Sequence, residues 1–215
     1  TQAHNAIQGG VAILTISIFI MWKWGGYKNF IGLDQLWGLG KLLFGISLLW
    51  FWFFISSLMV LWYGKKPNER DVLQILMFGN YLPIFVSTFF FVCIVPFFCL
   101  TLDKIRKSFY GPPIIALSVL IGNFLDRLRH YGSAYSLDRT MDEATHRFAN
   151  LPEIAIPNIV DLMVIFGAVS FPIFLILLVT KYIPVISIWE NREYKLYGSH
   201  EKYYKTEVLV EGKPY

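Results

Sequence analysis

The chain has 215 residues, 55% of them hydrophobic, 18% aromatic and 16% charged, with a formal net charge of +4. A soluble domain is about 25% charged, so the balance excludes an ordinary water-facing globule and an integral membrane protein is expected. The small positive charge fits a segment lying against anionic lipid, and nothing in the sequence calls for nucleic acid.

Five continuous apolar runs succeed one another, at 7–24, 36–63, 81–102, 113–128 and 159–183. Each approaches or exceeds the roughly 20 residues that a helix rising about 1.5 Å per residue needs to cross the hydrocarbon layer. A transmembrane barrel is excluded, because its strands alternate apolar and polar over about 10 residues. The expected fold is an all-α integral membrane protein with about five transmembrane helices, with residues 1–190 as the transmembrane domain and 191–215 as a cytoplasmic interfacial tail.

The first run lacks the basic start and small-residue cleavage site of a signal peptide, and Thr1 is not an initiator Met, so a truncated or processed N-terminus is expected. Cys93 and Cys99 fall at i and i+6 in the third run, too far round a helix to bridge and without metal-ligand spacing. They read as packing residues. Pro83, Pro96, Pro172 and Pro184 remove backbone donors and are expected to kink their helices, leaving carbonyls for neighbouring helices to cover.

Basic residues near the span ends differ only slightly between the two sides. Lys23, Lys28, Lys104, Arg106, Lys107, Lys181, Arg192 and Lys195 fall together, and this side, with the C-terminus, is assigned to the cytoplasm. The tail, with its stretch ENREYKLYGSHEKYYKTEV, reads as an interfacial helix followed by an extended end that docks on a partner, or as a snorkelling anchor.

The polar residues gather at the opposite face. In the fourth run Asn123, Asp126, Arg127 and His130 recur at spacings of three and four and share one helical face, and if that face is packed Asp126 is expected within hydrogen-bonding reach of Arg129, His130 or a residue of another helix. His4, Asn5 and Gln8 open the first run on that side. Ser56, Ser57 and Tyr63 close the second, Asn80 and Tyr81 start the third, and Asp161 starts the fifth. Lys41 is the comparable charge toward the other side. Two readings stand for these residues: solvated or snorkelling helix ends, or a route for protons and a polar substrate, since an ionisable group inside a span is costly.

A haem bundle needs histidine pairs within its spans, whereas His4, His130, His146 and His200 lie at span ends or in loops. No haem, iron-sulfur cluster or other metal is expected in this chain, and no glycine-rich nucleotide loop occurs.

The stretch LWFWFFISSLMVLWYGKKPNE is similar to the corresponding part of the NrfD/PsrC family of polysulfide-reductase-type membrane subunits. The downstream segments agree in order: a Gly-x-Tyr like Gly79 to Tyr81, a span with a central proline like Pro96, the basic turn DKIRKS, and a span ending in GNFLDR. The resemblance extends from Ile7 to about Trp189 and covers the family's C-terminal half, a four-helix bundle plus one preceding helix. It implies a multi-pass subunit in a bacterial or archaeal cytoplasmic membrane, of a respiratory or photosynthetic complex like alternative complex III. Such a subunit supports electron transfer between quinol and an iron-sulfur partner on the extracytoplasmic side, with proton movement in some relatives. The partners implied are that iron-sulfur protein, lipids and other membrane subunits, including one supplying the N-terminal half.

Three positions depart from the family pattern. Ser57 stands where an acid precedes the WYG motif, Leu76 where an arginine lies a turn before Gly79, and Val92 where an asparagine precedes Pro96. These losses weigh against a continuous proton path and keep two readings open: a quinone-linked redox subunit, with Asn123, Asp126, Arg127, His130, Asp161, Tyr81 and Lys41 as quinone or proton-path candidates, or a non-catalytic anchor of the same complex. A transporter ranks below both, for want of a repeated half or paired broken helices.

Overall fold

A computed structural model describes residues 2–28, 30–64, 73–136 and 158–182, together with Trp189, Arg192 and two short strands. The chain divides into two compact units, Thr1–Ala155 and Ile156–Tyr215.

In the first unit, α1 (Gln2–Lys23) and α2 (Leu33–Gly64) are long apolar helices. The backbone N–H of Gly32 donates to Gln35 Oε1 at 2.6 Å, which closes the open start of α2. A π-helical turn (Gln74–Phe78) then leads into α3 (Leu82–Phe89), a second π turn (Phe90–Ile94) and α4 (Val95–Thr101); from Leu82 onward these form one continuous apolar helix. A short α5 (Asp103–Arg106) precedes α6 (Gly111–Ser136). Pro112 and Pro113 sit in the first turn of α6, where a missing N–H costs nothing.

The prolines of the third span behave in two ways. Pro83 lies in the first turn of α3 and breaks no bond, so the expected kink there is not needed. Pro96 follows the π turn, in which Val95 N–H reaches back to Phe90 O. A residue with an N–H at position 96 would bond Phe91 O in the same wide register; proline cannot, and Ser118 Oγ of α6 donates to that oxygen at 3.2 Å instead. We expect Ser118→Ala to cost about 1 kcal/mol, the net value of one such bond, in reversible unfolding from mixed micelles. An unchanged midpoint would mean that Phe91 O is satisfied elsewhere.

α6 is central, packing against α1, α2, both halves of the third span and α5. Ala12, Leu43, Leu100, Ile115, Ala116 and Val119 form the apolar core. The outward positions are apolar too: Trp52, Val60, Phe98 and Ile114 are all exposed. That is the reverse of a water-soluble bundle and fits hydrocarbon as the solvent. At the end of α1, Trp22 stacks on Phe109 with centroids 4.5 Å apart, while the Lys23 ammonium sits over Trp24 and Tyr110. Such aromatic and basic side chains suit a membrane interface.

The second unit contains α7 (Ile159–Tyr182) and an antiparallel pair, β1 (His200–Tyr203) and β2 (Thr206–Leu209), with His200 opposite Leu209 and Tyr203 opposite Thr206. Pro172 lies inside α7. The spans themselves are helical as expected, and this strand pair lies in the tail, whose end reads from sequence as extended. The four-residue strands are too short and too polar to announce themselves by alternation. Pro184 lies outside the described residues.

Four helical stretches among the described residues are long and apolar enough to cross a membrane: Gln2–Lys23, Leu33–Gly64, Leu82–Thr101 and Ile159–Tyr182. Their limits lie close to the expected 7–24, 36–63, 81–102 and 159–183. α6 has the length but carries Asp126, Arg127, Arg129 and His130 in its second half, and it runs on to Ser136 rather than ending near 128.

Candidate functional site

The polar groups expected at one face converge on Asp126. Its carboxylate is buried between α1, α6 and the turn before α3, and both oxygens are engaged. Asn5 Nδ2 of α1 donates to Oδ2 at 2.7 Å, and Arg129 Nη2 donates to Oδ1 at 2.8 Å. His130 Nδ1 lies 2.8 Å from the backbone oxygen of Asp126 and 3.4 Å from Oδ1. Helical spacing explains this, because residues 129 and 130 stand three and four positions beyond Asp126 and rise beside it on one face.

Arg129 is itself buried. Nη1 donates to Leu76 O at 3.2 Å, the guanidinium lies 5.0 Å from the Phe85 ring centroid, and Nε has no partner among the described residues.

Asn123, one turn deeper, is buried with neither amide atom partnered among the described residues. Gln8 is fully buried and donates to Ser47 Oγ at 3.0 Å. Tyr81 is buried beside Gly132, where an added Cβ would lie 3.5 Å from the phenol oxygen. Ser56 and Ser57 turn their hydroxyls to Trp52 O and Phe53 O of their own helix, each at 2.8 Å, so they lend the face little polarity.

Two candidates of the first unit, Arg127 and Lys41, are not brought to this cluster, and Asp161 is described within its own unit. Arg127, adjacent to Asp126, points about 100° away round the helix and bonds the side chain and backbone oxygens of Gln2. The ion pair is thus Asp126 with Arg129, and the adjacent acid-Arg pair of the sequence motif is not the structural pair. Asp161 belongs to the second unit, where its Oδ2 accepts the Asn158 N–H at 2.8 Å while Asn158 Oδ1 accepts the Ile159 N–H at 2.7 Å. The Asp161 carboxylate thus makes one half of a capping box at the start of α7, and Asn158 covers the next N–H. Lys41 is exposed near the opposite end of α2, its ammonium 3.2 Å from the Trp37 ring centroid. Arg129, at i+3, is one of the partners expected for Asp126, and the contact is formed.

Beside the cluster lies a cavity of about 140 Å³, with Trp50, Phe54, Leu73 and Met77 on its apolar walls and Asp126, Arg129 and His130 on its polar side. A cavity of about 150 Å³ accommodates a benzene ring. No described residue hydrogen-bonds His130 Nε2. The site thus offers an apolar slot for one ring, with an imidazole, a guanidinium and a carboxylate at one edge to meet polar substituents.

Together these features define a helical chain with four stretches able to cross a membrane, which points to a membrane protein, built around a buried ionic cluster. No family model matches the chain, and no curated protein sequence matches it.

Proposed function

We propose that this chain is a membrane subunit of a quinone-linked oxidoreductase complex of the NrfD/PsrC type, with α6 as a fifth span. In this reading the Asp126 face is extracytoplasmic and meets an iron-sulfur partner subunit, the C-terminus is cytoplasmic, and further membrane subunits and lipids surround the bundle. The membrane is the cytoplasmic membrane of a bacterium or archaeon. The observation that carries the reading is the ring-sized apolar slot edged by Asp126, Arg129 and His130. A quinol there would find an apolar wall for its ring and charged groups for its oxygens. The quinone supplies the electron chemistry. The chain's own part is to orient the ring and hold or release protons at His130 and the Asp126 carboxylate.

The anchor reading is favoured by a different observation, that both Asp126 oxygens are already held by protein donors. A substitution separates the two. Asp126→Asn keeps the shape, and Asn5 can rotate its amide to offer Oδ1, which has no partner among the described residues. If the carboxylate exchanges protons with substrate, quinol turnover per assembled complex is expected to fall about 10²-fold, the low end of what a positioned acid or base contributes. Turnover unchanged per intact complex would eliminate the catalytic reading and leave the anchor.

A further inference from the structure

We propose that the seam between α1, α2 and α6 is a water-holding half-channel that reaches Asp126 from within the bundle and ends blind one helical turn beyond Gln8. The inference goes beyond the quinone reading and stands without it.

The seam is lined by polar side chains, each at least nine-tenths buried, and each keeps at least one hydrogen-bonding atom without a partner among the described residues. Asn5 is 4% exposed, Gln8 0% and Asn123 8%. Asn5 Oδ1, Gln8 Oε1 and both amide atoms of Asn123 have no partner among the described residues. A buried amide without a partner costs about 1–3 kcal/mol, and several in one seam are not a dry arrangement. Internal water is the ligand that answers such groups, because it both donates and accepts and needs polar neighbours on several sides. Gly9 faces Asn123 with no side chain of its own: a Cβ there would stand 3.9 Å from Nδ2, so the glycine leaves that amide uncovered on the α1 side.

The blind end has an equally plain origin. One turn on from Gln8 in α1 is Ala12, one turn before Ser47 in α2 is Leu43, and one turn before Asn123 in α6 is Val119, with Ala116 next to it. All four are fully buried in the apolar core. The three helices become apolar at the same depth. Thr15, the next buried polar side chain of α1, is already closed on Val11 O at 2.8 Å. Water on the seam can therefore carry a proton to or from Asp126 on its own side of the membrane, while the core interrupts any relay to the other side.

The test is a cryo-electron microscopy map of the full chain in a lipid nanodisc at a resolution that shows water, for the wild type and for Gly9→Ala. Ordered water within hydrogen-bonding distance of Gln8 Oε1, Asn5 Oδ1 and Asn123 is expected, with none among Ala12, Leu43, Ala116 and Val119. Gly9→Ala, whose added methyl meets nothing closer than 3.9 Å, is expected to keep the fold and lose the water at Asn123 Nδ2. A dry seam with its amides paired to protein groups would overturn the proposal, as would a file of water continuing past Val119 to the opposite face.

Discussion

Arg129→Met, made alone, is expected to destabilise the bundle by about 3–5 kcal/mol, the cost of leaving one member of a buried ion pair uncompensated. The side chains of Arg129 and Asp126 are only 6% and 5% exposed, so bulk water does not solvate the carboxylate in place of the lost guanidinium. Met fills much of the same volume but returns none of the donors. The Asp126 carboxylate would keep Asn5 as its one close side-chain donor, with His130 at 3.4 Å, and Leu76 O would lose its partner. The pair itself is worth far less than this figure, because two charges lose their hydration to form it. Asp126→Asn/Arg129→Met is therefore expected to recover most of the loss, since it removes both charges together. Reversible unfolding of the four members of the cycle in mixed micelles gives the coupling directly. A single Arg129→Met within about 1 kcal/mol of wild type would mean that the carboxylate is hydrated or that the pair is not formed.

How far the sequence carries this site depends on which physical signal each part emits. The long apolar runs are legible because a membrane demands continuous hydrophobicity, and the described helices lie close to the expected limits. The grouping of Asn5, Gln8, Asn123, Asp126 and His130 is legible too, since antiparallel helices bring alternate ends to one face and helical spacing does the rest. Arg127 misleads because neighbours in sequence are not neighbours on a helix. The partner stands at i+3, the spacing that lays Arg129 beside Asp126 on the helix. α6 runs on past the apolar limit near 128 to Ser136, its charges answered by one another and by Gln2, Asn5 and Leu76 of neighbouring segments. The π turns leave no signal beyond Pro96. The one at Phe90–Ile94 stands where a missing N–H and a neighbouring serine together make the wider turn tolerable, a tertiary circumstance. Asp161 is drawn to the start of its own helix because an acid at the third position completes a local cap, and that short-range bond needs no distant partner.

Gly122→Leu is the second substitution expected to have a large effect, and it acts through packing alone. α6 crosses the third span with Gly122 against the π turn. A Cβ at this position would lie 2.5 Å from Val92 Cγ2, 2.9 Å from Phe91 Cβ and 3.1 Å from the backbone nitrogen of Val92. Small residues at helix crossings allow such approach in membranes, where van der Waals contact replaces the hydrophobic drive between helices. Val92 is fully buried and β-branched, with a stiff χ1, so it cannot swing aside. Relief must come from separating the helices, and Ser118, one turn away on the same face, would then lose Phe91 O. Extra methylenes in a packed core cost about 1–3 kcal/mol, and with backbone in the way Gly122→Leu is expected at or above the upper end. Gly45→Ala supplies the contrast, because a Cβ there meets nothing within 4 Å and a mid-helix glycine is about 1 kcal/mol poorer than alanine. That variant is expected to match or exceed wild-type stability. Should Gly122→Leu unfold at the wild-type midpoint in mixed micelles, the close crossing of α6 over Phe91 and Val92 would be wrong, and with it the account of how Ser118 covers the carbonyl that Pro96 leaves open.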